Sequence, residues 1–269
     1  MQKLRIVTVV LAIVVFFSAG LGKAQQTRTQ PAVSLQSELL DDLVFANHIL
    51  YHQGVVDGFG HISVRDPKNP SHFWMSRSVA PGRVTRADIL EFDANGEPVA
   101  AGGRIVYLER YIHAAIYRAR PDVQAVVHSH SPSVIPFGVT GTVLRPIYHV
   151  SGFLGAGAPI FDIRDVAGMT DMLIRSNALG DALAQKLGKG AVVLMRGHGM
   201  VVAGDSIPQV VARSINTEGN ARLQWEAKQL GEIRFLSPEE AAKAAAVNDS
   251  PPIVARSWEL WKTAAGKIE

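Results

Sequence analysis

The chain has no cysteine among its 269 residues. No disulfide can tie it together, and no thiolate can act as nucleophile or metal ligand. Any metal must therefore be held by histidine, aspartate and glutamate. There is also no long lysine/arginine run and no platform of interleaved aromatics, and the formal net charge is only +3. Nucleic acid is accordingly a poor fit as a partner. No repeat of roughly 20 to 50 residues is visible, which excludes a solenoid or propeller.

What is present is enough apolar residue, 47% of the chain, to bury a real core. The first residues read differently from the rest. "MQKLR" is a basic start, "IVTVVLAIVVFF" an apolar run, and "SAGLGKAQ" a small-residue stretch with cleavage points. That is the layout of a secretory signal. The apolar run falls short of the roughly 20 residues that span a bilayer comfortably, so an uncleaved anchor is the alternative. Residues 1–24 are thus read as a signal peptide or N-terminal anchor, and residues 25–34 as a linker. The expected location is periplasmic or extracellular, or membrane-anchored if the segment stays on.

From residue 35 the pattern changes to helical spacing, with Leu35, Leu39, Leu43, Ala46, Ile49 and Leu50 on one face, Ser34 as N-cap and Gly54 as the stop. Short β-branched or aromatic runs follow, "FGHISVRD", "HFWMS" and "DILEFDANGEPVA", separated by turn residues. Next come a helix "LERYIHAAIYRAR" ended by Pro121, the strand "VQAVVH", a helix "GMTDMLIRSNALGDALAQKLG", the strand "AVVLM" and a long helix from about Ser206 to Leu230. This order predicts one α/β domain over residues 35–235, its sheet covered by helices. Residues 236–269 form a helical extension whose two patterns are broken at Pro251 and Pro252.

The chemistry gathers at three places. In "AVVHSHSP", His128 and His130 share one face of a strand end, with Ser129 opposite. In "LMRGHGMVVAG", His198 follows a second strand and is flanked by Gly197 and Gly199, which allow a close backbone approach. Glu109 begins the helix before the first histidine strand. Three neutral imidazoles and a carboxylate hold a divalent first-row metal well. Each also has an ordinary explanation on its own: core-edge histidines, a polar turn, or an acid favoured by a helix dipole. Their joint occurrence favours the metal reading. His113, one turn after Glu109, packs or hydrogen-bonds beneath the site in this reading; His48 and His52 end the first helix, and His72 starts a strand or lies in a loop.

The ordered set Glu109, His128-Ser129-His130 and His198, with "GHISVR" upstream and "IYRARPDVQAVVHSHSP" around the pair, resembles the class II aldolase/adducin family over roughly residues 35–235. The resemblance implies a single three-layer α/β/α sandwich with a mainly antiparallel central sheet. It implies a homotetramer with active sites between subunits. It also implies one divalent metal per chain, zinc first and manganese, iron or cobalt as alternatives, held by Glu109, His128, His130 and His198. The activity implied is that of a metal-dependent lyase, aldolase or decarboxylase, with Glu109 as acid/base and an enolate-type intermediate. The alternatives are a family epimerase or dehydratase, or an adducin-like binding module.

The phosphate-gripping residues of the sugar-phosphate members are mostly missing. "GHIS" stands in place of an asparagine motif, "SRSVAP" in place of Thr-Gly, and Tyr107-Leu108 in place of two serines before Glu109. The expected substrate is therefore a non-phosphorylated hydroxy or keto carboxylate, bound by His61, Arg77, Ser78 and Tyr148. His149 stands in register with the family's tyrosine proton donor from a neighbouring subunit. The pattern resembles the decarboxylase-like branch more than the sugar aldolases.

Overall fold

A computed structural model describes residues 35–266. The signal or anchor segment (1–24), the linker (25–34) and the Ser34 cap lie outside the described residues. Among those described, the order is α1 (Leu35–His52), β1 (His61–Arg65), β2 (Phe73–Ser76), β3 (Ile89–Phe92), α2 (Arg110–Ala119), β4 (Ala125–Ser129), α3 (Ile135–Val139), β5 (Ile160–Phe161), α4 (Arg164–Ala167), α5 (Asn177–Leu187), β6 (Val192–Met195), β7 (Gly199–Gly204), α6 (Ile207–Leu230), α7 (Pro238–Asn248) and α8 (Pro251–Ala265). The strands form one sheet in the order β3-β2-β1-β4-β7-β6-β5. Among the described pairs only β5 and β6 run parallel.

Strand periodicity divides the core in two. On β4, Ala125 and Val127 face a core shared with Leu43 and Ile49 of α1, Val210 of α6 and Trp258 of α8. Val126 faces the other way, toward Ile112 and Ile116 of α2 and Leu183 of α5. Because both faces are covered, the central strands read as apolar runs. The result is the expected α/β/α sandwich. Each fully buried branched side chain in these layers contributes about 1.5–3 kcal/mol.

The helix expected over "GMTDMLIRSNALGDALAQKLG" forms only in its second half. Ser176 caps α5 by accepting from the Leu179 N–H. Met172 upstream has φ +68°, a left-handed conformation that no helix interior contains. At the other end of the chain, Pro251 and Pro252 lie in the first turn of α8, where a missing N–H costs nothing. The extension divides into its two helices just before them, and the prolines open the second. Helix α7 packs tightly on the turn His149–Leu154: a Cβ on Gly152 would meet the Ala241 carbonyl and stand 2.8 Å from the Ala245 nitrogen. The extension thereby fixes the segment that carries Tyr148 and His149.

Candidate metal centre

Three neighbouring elements bring the donors together. β4 runs between β1 and β7, with His128 opposite His61 on one side and Val201 on the other. His130 lies one residue beyond the strand on the same face as His128. β6 and β7 are joined by a three-residue loop, Arg196-Gly197-His198, in which Gly197 takes φ +64°. Glycine adopts that conformation without a steric cost, and the turn sets His198 beside the end of β4. Gly199 then closes against the backbone of Ser129 and His130. Glu109 occupies the N-cap of α2 but caps nothing: its side chain makes no hydrogen bond to its own helix.

The rings of His128, His130 and His198 form a nearly equilateral triangle, with centroids 4.9 to 5.1 Å apart. Their donor atoms and a Glu109 oxygen all lie within 4.8 Å of one another. The orientation of each ring is set from behind. His128 Nδ1 lies 3.1 Å from the Met200 carbonyl, and His198 Nδ1 lies 3.1 Å from the Met172 carbonyl. A carbonyl only accepts, so both Nδ1 atoms carry the proton and both Nε2 lone pairs face the cluster. His128 Nε2 is buried with no hydrogen-bond partner among the described residues. Nε2 of His130 and of His198 stand 3.0 Å apart. Glu109 Oε2 is 3.4 Å from Nε2 of both His128 and His198. That is the edge of a tetrahedron built on bonds of about 2.1 Å. The four groups fit a divalent cation.

Electrostatics agree. Burial pushes the Glu109 carboxyl up, but the imidazoles of His128 and His198 outweigh it and hold the group well below the usual carboxylate range. Burial, reinforced by His128 and His198, brings His130 down to about 4. Burial likewise opposes charge on His198, yet Glu109 beside it raises that ring above its ordinary value. A proton on His198 satisfies one pair of this set; a divalent cation satisfies all four donors at once.

The cluster opens into a cleft of about 570 Å³ walled by Phe59, His61, Ser78, Tyr107 and Leu108. Tyr107 gives its hydroxyl proton to the Val79 carbonyl. Of the residues expected to bind substrate, His61 and Ser78 line this cleft. Arg77 is tied to Asp88, with Nε 2.6 Å from its carboxylate, and is not part of the cleft wall. Tyr148 and His149 also stand outside it: the Tyr148 hydroxyl lies 3.4 Å from the Asn216 carbonyl on α6, and His149 is exposed. His113 lies beneath the site, bonded to His61 and Ser63.

Sequence reasoning missed the segment Met172–Ile174. Its Met172 carbonyl orients His198, and its Ile174 N–H donates to Glu109 Oε1 at 2.9 Å. In a helix both backbone groups would be consumed internally. The strained φ of Met172, costing roughly 1–2 kcal/mol, frees them for the site. Phe59 was also missed; its ring lies 6.1 Å from that of His130. The glycines on either side of it, Gly58 and Gly60, were the available signal.

The chain is similar to known proteins. The chain is 39% identical over 238 residues to the decarboxylase tropJ of Talaromyces stipitatus, covering 80% of this chain and 89% of that one. It is 30% identical over 204 residues to a 3,4-dihydroxyphthalate decarboxylase of Arthrobacter keyseri, covering 70% and 78%. An L-fuculose 1-phosphate aldolase from Glaciozyma antarctica superposes with a TM-score of 0.71 at 25% identity, covering 88% of this chain and 93% of that one. The model of the class II aldolase and adducin N-terminal domain matches residues 41–225, which contain all four clustered donors. This chain is a member of the class II aldolase and adducin N-terminal domain family.

Proposed function

We propose that the protein is a divalent-metal-dependent carbon–carbon lyase that decarboxylates a non-phosphorylated hydroxy aromatic carboxylate. The observation that carries this is the four-donor cluster opening into a cleft walled by Tyr107 and Leu108. Small donors at those two positions would be needed to grip a phosphate; a phenol ring and a leucine instead suit a flat, largely apolar substrate. The name of the 3,4-dihydroxyphthalate decarboxylase supports this substrate chemistry, and both names support the reaction.

Glu109, His128, His130 and His198 would hold the metal. Zinc is first choice for three nitrogens and one carboxylate oxygen, with manganese, iron or cobalt as alternatives. When bound, the cation supplies a Lewis acid that stabilises negative charge developing beside the breaking carbon–carbon bond. Glu109 Oε1 is held by the Ile174 N–H, so Oε2 is the oxygen that faces the cluster at rest and, when substrate takes its place, would carry a proton to or from the reacting carbon. His61 and Ser78 orient the substrate from the cleft wall, and the Tyr107 and Leu108 side chains exclude water. His149, exposed on its own chain, would serve the cleft of a neighbouring subunit in a homotetramer, with Tyr148 fixing the turn that carries it. Residues 1–24 would direct the enzyme out of the cytoplasm.

Retro-aldol cleavage makes the same electronic demand, and it is the second reading because of the structural likeness to the aldolase. A non-catalytic scaffold has no physical need for three converging imidazole lone pairs. The test is turnover by zinc-loaded protein of a panel containing ortho-hydroxy aromatic carboxylates, hydroxy-keto acids and sugar phosphates. Carbon dioxide from the first group is expected. Aldehyde from the others would select the aldolase reading, and failure to take up any metal would overturn both.

A further inference from the structure

Behind the cleft wall, four buried side chains form one continuous hydrogen-bonded line. The Tyr117 hydroxyl lies 2.8 Å from Ser63 Oγ. Ser63 Oγ lies 2.6 Å from His113 Nδ1, and His113 Nε2 lies 2.7 Å from His61 Nδ1. All four are buried: Tyr117 is 6% exposed, Ser63 and His113 0%, and His61 3%. His61 is the end that lines the cleft.

Counting protons gives the line a direction. Each gap holds one hydrogen. The Val126 backbone N–H also reaches the Tyr117 hydroxyl, but it can only donate, so the phenol's own hydrogen goes to Ser63. Ser63 must then pass its own hydrogen to His113 Nδ1, the one remaining acceptor within its reach. A neutral His113 with a bare Nδ1 carries its hydrogen on Nε2 and donates to His61 Nδ1. A neutral His61 with a bare Nδ1 carries its hydrogen on Nε2. The reversed line would strand the phenol hydrogen in the core, a loss of the order of 1–3 kcal/mol, or about tenfold to a hundredfold in population. Both rings are buried beside other imidazoles and away from solvent, a setting in which the neutral form is favoured.

We infer that His61 presents a fixed Nε2–H donor to the cleft, that Ser63, His113 and Tyr117 are positioning residues that set its tautomer, and that it receives an anionic oxygen of the substrate. The His61 ring lies 5.2 Å from that of His128 and 4.5 Å from that of Tyr107. The oxygen it binds therefore sits beside whatever the cluster holds. A carboxylate with an ortho hydroxyl places two acceptor oxygens at that short spacing, whereas a group that can only donate, such as an ammonium, is refused. The identity of the substrate group rests on the decarboxylase reading; the direction of the line rests on geometry alone.

The decisive measurement is the long-range nitrogen–proton correlation spectrum of the full chain, zinc-loaded and labelled with nitrogen-15 histidine. His61 is assigned by its disappearance in His61→Gln. A single tautomer protonated at Nε2 is expected, giving way to a mixture in Tyr117→Phe, a variant that removes the source hydroxyl and keeps the ring. The opposite tautomer in the wild-type chain overturns the inference. Calorimetry with 2-hydroxybenzoate tests the recipient: His61→Leu should bind it about tenfold or more weakly, with metal content unchanged and partial recovery in His61→Gln. Equal affinity in His61→Leu, or no binding by the wild-type chain, overturns the substrate half. The tautomer is read without turnover, so failure of the lyase reading and failure of this one are distinguishable.

Discussion

Gly199→Ala should damage the metal centre without touching a donor atom. Gly199 opens β7 directly against the end of β4, where a Cβ would stand 2.9 Å from the Ser129 carbonyl carbon and 3.0 Å from His130 Cα, with the Ser129 oxygen nearer still. Carbon atoms rest at roughly 3.5–4.0 Å, so the two strands must part by about 1 Å. Those are backbone atoms, and no side-chain rotation relieves the contact. Overpacking of this kind costs about 1–3 kcal/mol, which lowers Tm by roughly 2–10 °C in a chain of this size. The same displacement separates His198 from His130, whose Nε2 atoms now stand 3.0 Å apart. A loss of about tenfold to a hundredfold in zinc affinity is expected, comparable to losing a group that orients a ligand. Gly197→Ala is the control. Its Cβ meets nothing nearer than 3.7 Å, but its φ of +64° disfavours any side chain. That variant loses about 1–2 kcal/mol of stability with a smaller change in affinity, because it does not force the strands apart. Calorimetric melting and zinc competition against a chromophoric chelator measure both quantities. Wild-type Tm and zinc affinity in Gly199→Ala would refute the reasoning.

Further outcomes follow from the same geometry. His128→Ala and His198→Ala should each abolish binding of the expected one divalent ion per chain, measured by elemental analysis, while Ser129→Ala, on the opposite face of β4, retains it. Glu109→Gln keeps the shape but removes the charge, so zinc affinity falls and carbon dioxide release is lost in a single-turnover assay. His113 stays neutral in the fold down to about pH 3, against 6.5 when free. The unfolded chain therefore binds the extra proton first, and this contribution to stability is present above pH 6.5 and lost as pH falls toward 3. Urea melts of the metal-free protein should show that loss, of the order of 5 kcal/mol for this residue, with a shallower pH dependence in His113→Gln. Mass measurement of the mature protein should show the chain beginning after about residue 24 if the leading segment is a signal; an intact N-terminus would assign it as an anchor.

How much of this was legible in the sequence depends on the range of the forces involved. β4 and its histidine pair were readable because strand alternation is local: Val126 and Val127 had to point to opposite cores, which fixed where His128 and His130 point. The loop at His198 was readable because Gly197 and Gly199 mark a turn in any context. Met172–Ile174 was not, since Met172 and Leu173 continue a helical pattern, and the strained turn is repaid only by contacts to Glu109 and His198, distant in sequence. Arg77 misled for a similar reason. Its partner Asp88 is held below the ordinary carboxylate range: burial opposes the shift, but the Thr85 backbone and hydroxyl, with Arg77 itself, overcome it. An arginine that looks free beside a cleft is committed to a buried acid eleven positions away.

Glu109 shows where sequence and structure differ most usefully. An acid at a helix start has a local explanation, the helix dipole, and that explanation predicts a side chain folded back onto the first-turn N–H groups. The Glu109 carboxylate makes no such bond. A capping interaction of about 1 kcal/mol is forgone, and the group is carried instead into a nearly dry site, where charge is costly unless paired. What meets it there is one amide N–H on Oε1 and two imidazole nitrogens at 3.4 Å from Oε2. Neutral Nε2 lone pairs do not attract a carboxylate; a proton on His198 relieves one pair, and a divalent cation between them satisfies all four donors. The unused cap and the converging lone pairs have the same cause, a backbone arranged around a positive charge.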